Sequence, residues 1–159
     1  MVKTLLSIVT LISVLIVVGS FLLGHMSHTG KAPGLVSERL SACADTPNCV
    51  LSEIAEDGTH YISPLRYPAA MTENTMDLIT QIIQEVGGEV LIEKEAYIAA
   101  RFTSTFFAFV DDLECRHDPL SHTIHLRSAS RVGDSDFGAN RKRVAFISNL
   151  FYQRVKQIT

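Results

Sequence analysis

The densest group of side chains able to do chemistry lies in residues 127–143, which read RSASRVGDSDFGANRKR. Five of the fourteen Lys and Arg residues fall here: Arg127, Arg131, Arg141, Lys142 and Arg143. Asp134 and Asp136 lie between them. Guanidinium groups hold carboxylates and phosphates through paired N–H donors. The segment is expected to leave a strand (residues 123–128), turn through Gly133 and Gly138, and enter a helix near Asn140. The free N–H groups of a helix start also favour an anion. Cations in the first turn, here Arg141, Lys142 and Arg143, oppose the helix dipole at about 0.3 kcal/mol or more each. Something negative should therefore lie close by, either the protein's own acids or an anionic ligand.

The nearest acids are Asp111, Asp112 and Glu114. Alternation along a strand over residues 106–115 puts Phe107, Phe109, Asp111 and Leu113 on one face. Val110, Asp112 and Glu114 take the other. Pairing this strand with 123–128 symmetrically about Asp118-Pro119 sets Asp111 opposite Leu126 and Asp112 opposite His125. Arg127 is then a same-face neighbour of Asp112. A slip of one residue would exchange the faces. Should helices cover its face, Asp111 is buried and needs a cation or several N–H donors; Arg131, Arg141 and Arg143 are the candidates.

Charge counting supplies an internal network. Five cations against two acids leave a surplus of three in residues 127–143, which Asp111, Asp112 and Glu114 match. Two alternatives stay open. The corner could bind an anionic small molecule, or Asp111 and Asp112 could act with Arg127 and Arg131 as a small hydrolase or transferase on a phosphorylated or carboxylated substrate. Three carboxylates could hold a hard cation, but the interleaved arginines oppose that. The six His residues show no H-x-x-x-H spacing, and no metal site or cofactor is expected. No G-x-S-x-G occurs, and no Cys has a convincing base, so no catalytic residue is assigned. Ser128 and Ser130 read as strand and loop hydrogen-bonding residues.

The elements that must position these residues follow from periodicity. Residues 5–23 form an uncharged apolar run of nineteen, close to the roughly 20 needed to cross a bilayer. The run is longer than a signal-peptide core, and Gly24-His25-Met26-Ser27-His28 is a poor cleavage site. Residues 4–24 are therefore expected as one transmembrane signal anchor. Lys3 and the terminal amine flank it on the N-side, so the N-terminus is expected in the cytoplasm and the remainder in the periplasm or outside the cell. Residues 25–42, with Gly, Ser, His and Pro33, read as a tether. Residues 43–159 read as one extracytoplasmic domain. Cys43 and Cys49 flank a short turn and suit a disulfide in an oxidising compartment. Cys115 is left over as a buried apolar residue.

Within the domain, 61–67 is a strand candidate interrupted by Pro64. Residues 72–86 read as a helix with Thr72 as N-cap, stopped by Gly87-Gly88. Its core stripe is Met76, Ile79, Ile83 and Val86. Residues 89–93 and 96–103 form one hairpin, and 106–115 with 123–128 another. A last helix, 140–158, carries a stripe of Val144, Ile147, Phe151 and Val155. The order β-α-β-β-β-β-α implies an α+β fold, an antiparallel sheet with two helices on one face. The other face is expected to be open to water or a partner. At a net charge of −3, no general pull toward nucleic acid is expected.

Three stretches carry a resemblance: Cys43-x3-Pro47-Asn48-Cys49-Val50; Phe109-Val110-Asp111-Asp112; and Arg127-Ser128-x-Ser130-Arg131-x-Gly133-x-x-Asp136-x-Gly138-x-Asn140-Arg141-x-Arg143. Together they resemble the bacterial and chloroplast family called domain of unknown function 1499, over about residues 43–157. Ala44 stands where that pattern commonly has Pro, and Leu51 where it has Ser. The resemblance implies an extracytoplasmic or membrane-tethered domain and implies no activity. The expected function is a membrane-anchored, non-catalytic binding or envelope-assembly module. Its expected partners are the membrane, an envelope protein or an anionic small molecule. A lipid-handling module is a further alternative.

Overall fold

The computed structural model describes residues 2–158, apart from the side chains of Thr72 and Glu73. The chain opens with helix α1, Val2–Ser27, which is long and apolar enough to cross a membrane and has none of its apolar stretch buried by the rest of the protein. Ser7, Thr10, Ser13 and Ser20 each donate their hydroxyl to a carbonyl four residues back. Their polar groups are thus satisfied inside the helix, as a hydrocarbon surrounding requires.

Two short strands follow, β1 (Leu35–Val36) and β2 (Arg39–Leu40), paired as a hairpin of their own. Ser37 and Glu38 both take positive φ, the backbone of a type I′ turn. The main sheet has six strands. They are β3 (Cys49–Leu51), β4 (Leu65–Arg66), β5 (Glu89–Lys94), β6 (Tyr97–Thr103), β7 (Val110–Asp118) and β8 (Thr123–Ser130). The order is β3-β8-β7-β6-β5, with β4 sharing the β8 edge with β3, and all pairs are antiparallel. Helices α2 (Thr75–Glu85) and α3 (Ala139–Ile158) pack together on one face. The expected α+β architecture therefore stands.

That face holds the main core. Ile98, Leu113, Cys115, Ile124 and Leu126 from the sheet meet Ile79, Ile82, Ile83, Ile147 and Phe151 from the helices, all fully buried. Both expected helical stripes face it, with Val86 at the margin. A 3-10 stretch, Ala69–Asn74, precedes α2, so Asn74 rather than Thr72 sits at the N-cap position. The side chain of Thr72 lies outside the described residues. Gly87, with φ +86, ends the helix in a conformation that an L side chain resists.

Four further expectations change. The strand expected over 61–67 shrinks to β4 and a single bridge from Tyr61 to Leu51, because Pro64 interrupts it. The strand expected from Phe106 starts at Val110. Residues 104–109 form a turn instead, closed by Ser104 N–H to the Phe109 carbonyl and Phe109 N–H to Ser104 Oγ.

The β7–β8 register also differs. Asp111 faces Ser130, Asp112 faces Ala129 and Glu114 faces Arg127. The hairpin turns through residues 119–122, where His122 adopts φ 50, rather than at Asp118-Pro119. The slip is four residues, an even number, so every residue that remains in the two strands keeps its expected face.

Lastly, the second sheet face is covered. The stretch expected as a tether lies over it, and Leu40 packs with Leu51, Tyr97 and Ala99, joined by Ala32, Cys43 and Ile54. Strands of two residues leave no periodic signal, which is why the sequence hides them. A disulfide between Cys43 and Cys49 (Cα–Cα 5.7 Å) ties this cover to β3.

Phe151→Ala should cost about 3–5 kcal/mol in denaturant unfolding of the full chain in detergent. Phe146→Ala, on the exposed side of the same helix, should stay within about 0.5 kcal/mol. Equal effects would place the core elsewhere.

Candidate functional site

Adjacent strand residues point to opposite faces, so Asp111 and Asp112 need separate partners. On the helix face, Arg143 donates Nη2 to Asp111 Oδ2 at 2.6 Å. Its Nη1 donates to Asn140 Oδ1 at 2.6 Å and to Ser128 Oγ at 3.1 Å. The guanidinium also lies 4.5 Å from the Phe102 ring centre, a favourable cation–π distance.

Asn140, 1% exposed, joins three segments. Its Nδ2 donates to the Asn48 carbonyl and to Ser130 Oγ, and its Oδ1 accepts from Ser128. Asn140 was expected only to mark where the loop backbone enters the helix; its side chain is a hub. Asn48 in turn donates to the Gly133 carbonyl at 2.6 Å. Gly133 and Gly138 take φ +81 and +78, so these turns do require glycine.

Asp136 accepts N–H bonds from Gly138 and Asn140 at 2.9 and 2.7 Å. It places negative charge at the start of α3, which offsets the three cations there. Arg141 meets no carboxylate among the described residues. Its guanidinium donates to the Thr59 and Tyr61 carbonyls at 2.7 and 3.0 Å and stays exposed.

On the opposite face, Arg131 grips Asp112 with two bonds, Nε to Oδ2 at 2.8 Å and Nη2 to Oδ1 at 2.7 Å. Its Nη1 donates to the carbonyl of Ser27, the last residue of α1, at 3.2 Å. Glu114, 0% exposed, accepts from Arg127 at 3.0 Å, from the Tyr97 hydroxyl at 2.7 Å and from Gly34 N–H at 3.0 Å. Burial, with Glu114 alongside, pushes the Tyr97 phenol well above its usual range. Burial and the same carboxylate push up the Cys115 thiol, which is not a reactive nucleophile.

A fourth ion pair, Arg116 with Glu53, has no sequence signal because Glu53 lies in no motif. His125 lies near it, and Ser52 Oγ lies 3.3 Å from His125 Nδ1. Burial, then the Arg116 charge, pulls the His125 pKa below its ordinary value. Burial likewise lowers His117, which contacts the Tyr67 hydroxyl.

The end of α1 docks on the sheet. Ser27 Oγ accepts Val110 N–H at 2.9 Å and donates to the Gly24 carbonyl at 2.5 Å. His28 Nε2 sits 2.9 Å from the Ala108 carbonyl. A Cβ on Gly24 would stand 1.8 Å from the Phe107 carbonyl oxygen, so only glycine permits this approach. Beside the joint lies a cavity of about 640 Å³ walled by Leu23, Phe106, Phe107, Phe109, Val132 and Phe137. No single motif signals it, because its walls come from three separate segments.

A family model described as "Protein of unknown function (DUF1499)" matches residues 39–151. The chain belongs to the DUF1499 family. The matched span contains Asp111, Asp112, Glu114 and their three arginines, and it leaves out α1 and Ser27. The contact from Arg131 to α1 thus joins a DUF1499 residue to a segment outside the match. Comparison with curated proteins gives no match.

Arg131→Ala should destabilise the full chain by about 3–5 kcal/mol, because it strands a buried carboxylate. Arg141→Ala should cost about 1 kcal/mol or less. Urea unfolding in detergent measures both, and an undisturbed Arg131→Ala variant would count against the network.

Stability should also depend on His117 and His125. Their folded pKa values lie below the unfolded value of about 6.5, so the unfolded chain binds more protons there. Their contribution is complete above about pH 6.5 and falls as pH drops toward the depressed folded values. A His125→Gln variant should show a shallower loss of stability than the parent between about pH 7.5 and 5.5.

Proposed function

We propose that this DUF1499 protein is a single-pass, membrane-anchored and non-catalytic binding or envelope-assembly module. Its domain is held close against the periplasmic or outer surface of the membrane. The observation that carries this reading is the bond from Arg131 to Ser27. The arginine that neutralises buried Asp112 also grips the end of α1. The Arg/Asp corner thereby couples the domain to its anchor.

The orientation rests on Lys3 at the N-side of the apolar run. The disulfide between Cys43 and Cys49 supports an oxidising compartment for the domain.

Burial speaks against the enzyme alternative. Asp111, Asp112 and Glu114 are 9%, 3% and 0% exposed, and each is paired with its own arginine. The anion-binding alternative rests on Arg141 alone, whose guanidinium already donates to two carbonyls.

A periplasm-active reporter fused after residue 159 should be active, and a cytoplasm-dependent one silent. The reverse result would overturn both the orientation and the disulfide's compartment. Gly24→Val should loosen the joint, so a protease should cut residues 25–34 faster than in the parent while the domain itself stays resistant. Equal cutting would remove the coupling role.

A further inference from the structure

We infer that the cavity at the joint between α1 and the sheet holds an acyl chain of a lipid from the leaflet in which α1 ends. This rests on the proposed anchoring and names the ligand class for it.

Position is the first argument. The apolar run of α1 ends at Leu23, and Leu23 itself lines the cavity. Nineteen helical residues rise roughly 28 Å, which matches a hydrocarbon core of about 30 Å. The cavity therefore lies at the depth where the helix leaves the bilayer.

The lining is the second. Phe106, Phe107, Phe109, Val132 and Phe137 give it carbon walls. Phe106 and Phe137 are also 76% and 91% exposed, so the apolar surface continues from the cavity to the outside. No Lys, Arg or His lines it among the described residues, which disfavours a phosphate headgroup inside. Its two carboxylates are already engaged, Asp111 by Arg143 and Asp136 by two backbone N–H groups. An apolar chain fits these walls; an ionic ligand does not. The volume of about 640 Å³ falls within the usual range of about 300–1,000 Å³ for small-molecule sites.

Construction is the third. Phe21 of α1 meets Phe107 edge-on with ring centres 5.2 Å apart, and Phe107 meets Phe106 and Phe109 at 5.0 and 6.2 Å. Ser104 closes the turn that carries them. The wall is assembled before any ligand arrives, which lowers the ordering cost of binding.

The test uses the full chain reconstituted in phosphatidylcholine–phosphatidylglycerol vesicles. These carry a trace of phosphatidylcholine with a photoactivatable diazirine on its acyl chain. After illumination, adducts are mapped by mass spectrometry. Adducts are expected on residues 104–109 and 132–137 as well as along residues 5–23. Filling the cavity with Val132→Trp should lower the labelling of both loops by about tenfold, the equivalent of losing about two buried methylenes. Phe137→Ser, at an exposed site where folding is not at risk, should lower it in the same direction.

Labelling of α1 without the loops would overturn the inference and leave the anchoring intact. Absence of labelling at both would overturn the anchoring and the inference with it. Loop labelling unchanged by Val132→Trp, in a variant that melts like the parent, would reduce the contact to bilayer surface and overturn the cavity site. Loop labelling that disappears as the protein-to-lipid ratio is raised, while labelling of residues 5–23 persists, would assign the cavity to a second copy and overturn it as well.

Discussion

Strand β7 buries three carboxylates within four residues. Moving a carboxylate out of water without a partner costs several kcal/mol, so the position of each surrounding element is bound by where an arginine must arrive. Asp111 faces the helices and demands Arg143, which fixes how the first turn of α3 meets the sheet. Asp112 and Glu114 face the other way and demand Arg131 and Arg127. The strand is thus clamped from both sides, and its acids act as locating pins. Relative to an apolar core such pairs add little net stability. Their effect is to penalise any other packing of α3, of the loop after β8, or of the segment over the second face.

Much of this was legible in the sequence. The charge count of residues 127–143 against Asp111, Asp112 and Glu114 anticipates an internal network, and cations at a helix start demand a negative group nearby. The structure supplies Asp111 and Asp136. Helical stripes such as Ile79-Ile83 and Ile147-Phe151 were readable because period 3.6 persists over several turns. The pairing of individual residues was not. Asp112 was expected opposite His125 and lies opposite Ala129. Turn chemistry alone does not say whether Asp118-Pro119 is the centre of a hairpin loop or its first half. Face assignment survived because a slip of four is even.

The larger omission was the cover over the second sheet face. Residues 27–43 hold it with single contacts: Gly34 N–H to Glu114, the Ser27 carbonyl to Arg131, Leu40 against Tyr97. None of these has a periodic sequence signature. The hub role of Asn140 was hidden for a related reason. One amide joins Asn48, Ser128 and Ser130, residues up to 92 positions away from it in the chain, and only the folded sheet brings them together.

The absence of slack at Gly24 has a geometric result. Helix α1 runs without interruption to Ser27, and Ser27 is already hydrogen-bonded to β7. A domain hung on a flexible leash would sweep a hemisphere and meet ligands arriving from bulk solution. With the anchor as proposed, a change in the tilt of the helix would tip the domain with it, as a weathervane turns with its shaft. Under the proposed anchoring, encounters are confined to a thin layer above the lipid and to partners diffusing in two dimensions. Bilayer thickness, which sets helix tilt, would then decide which surface of the domain those partners meet.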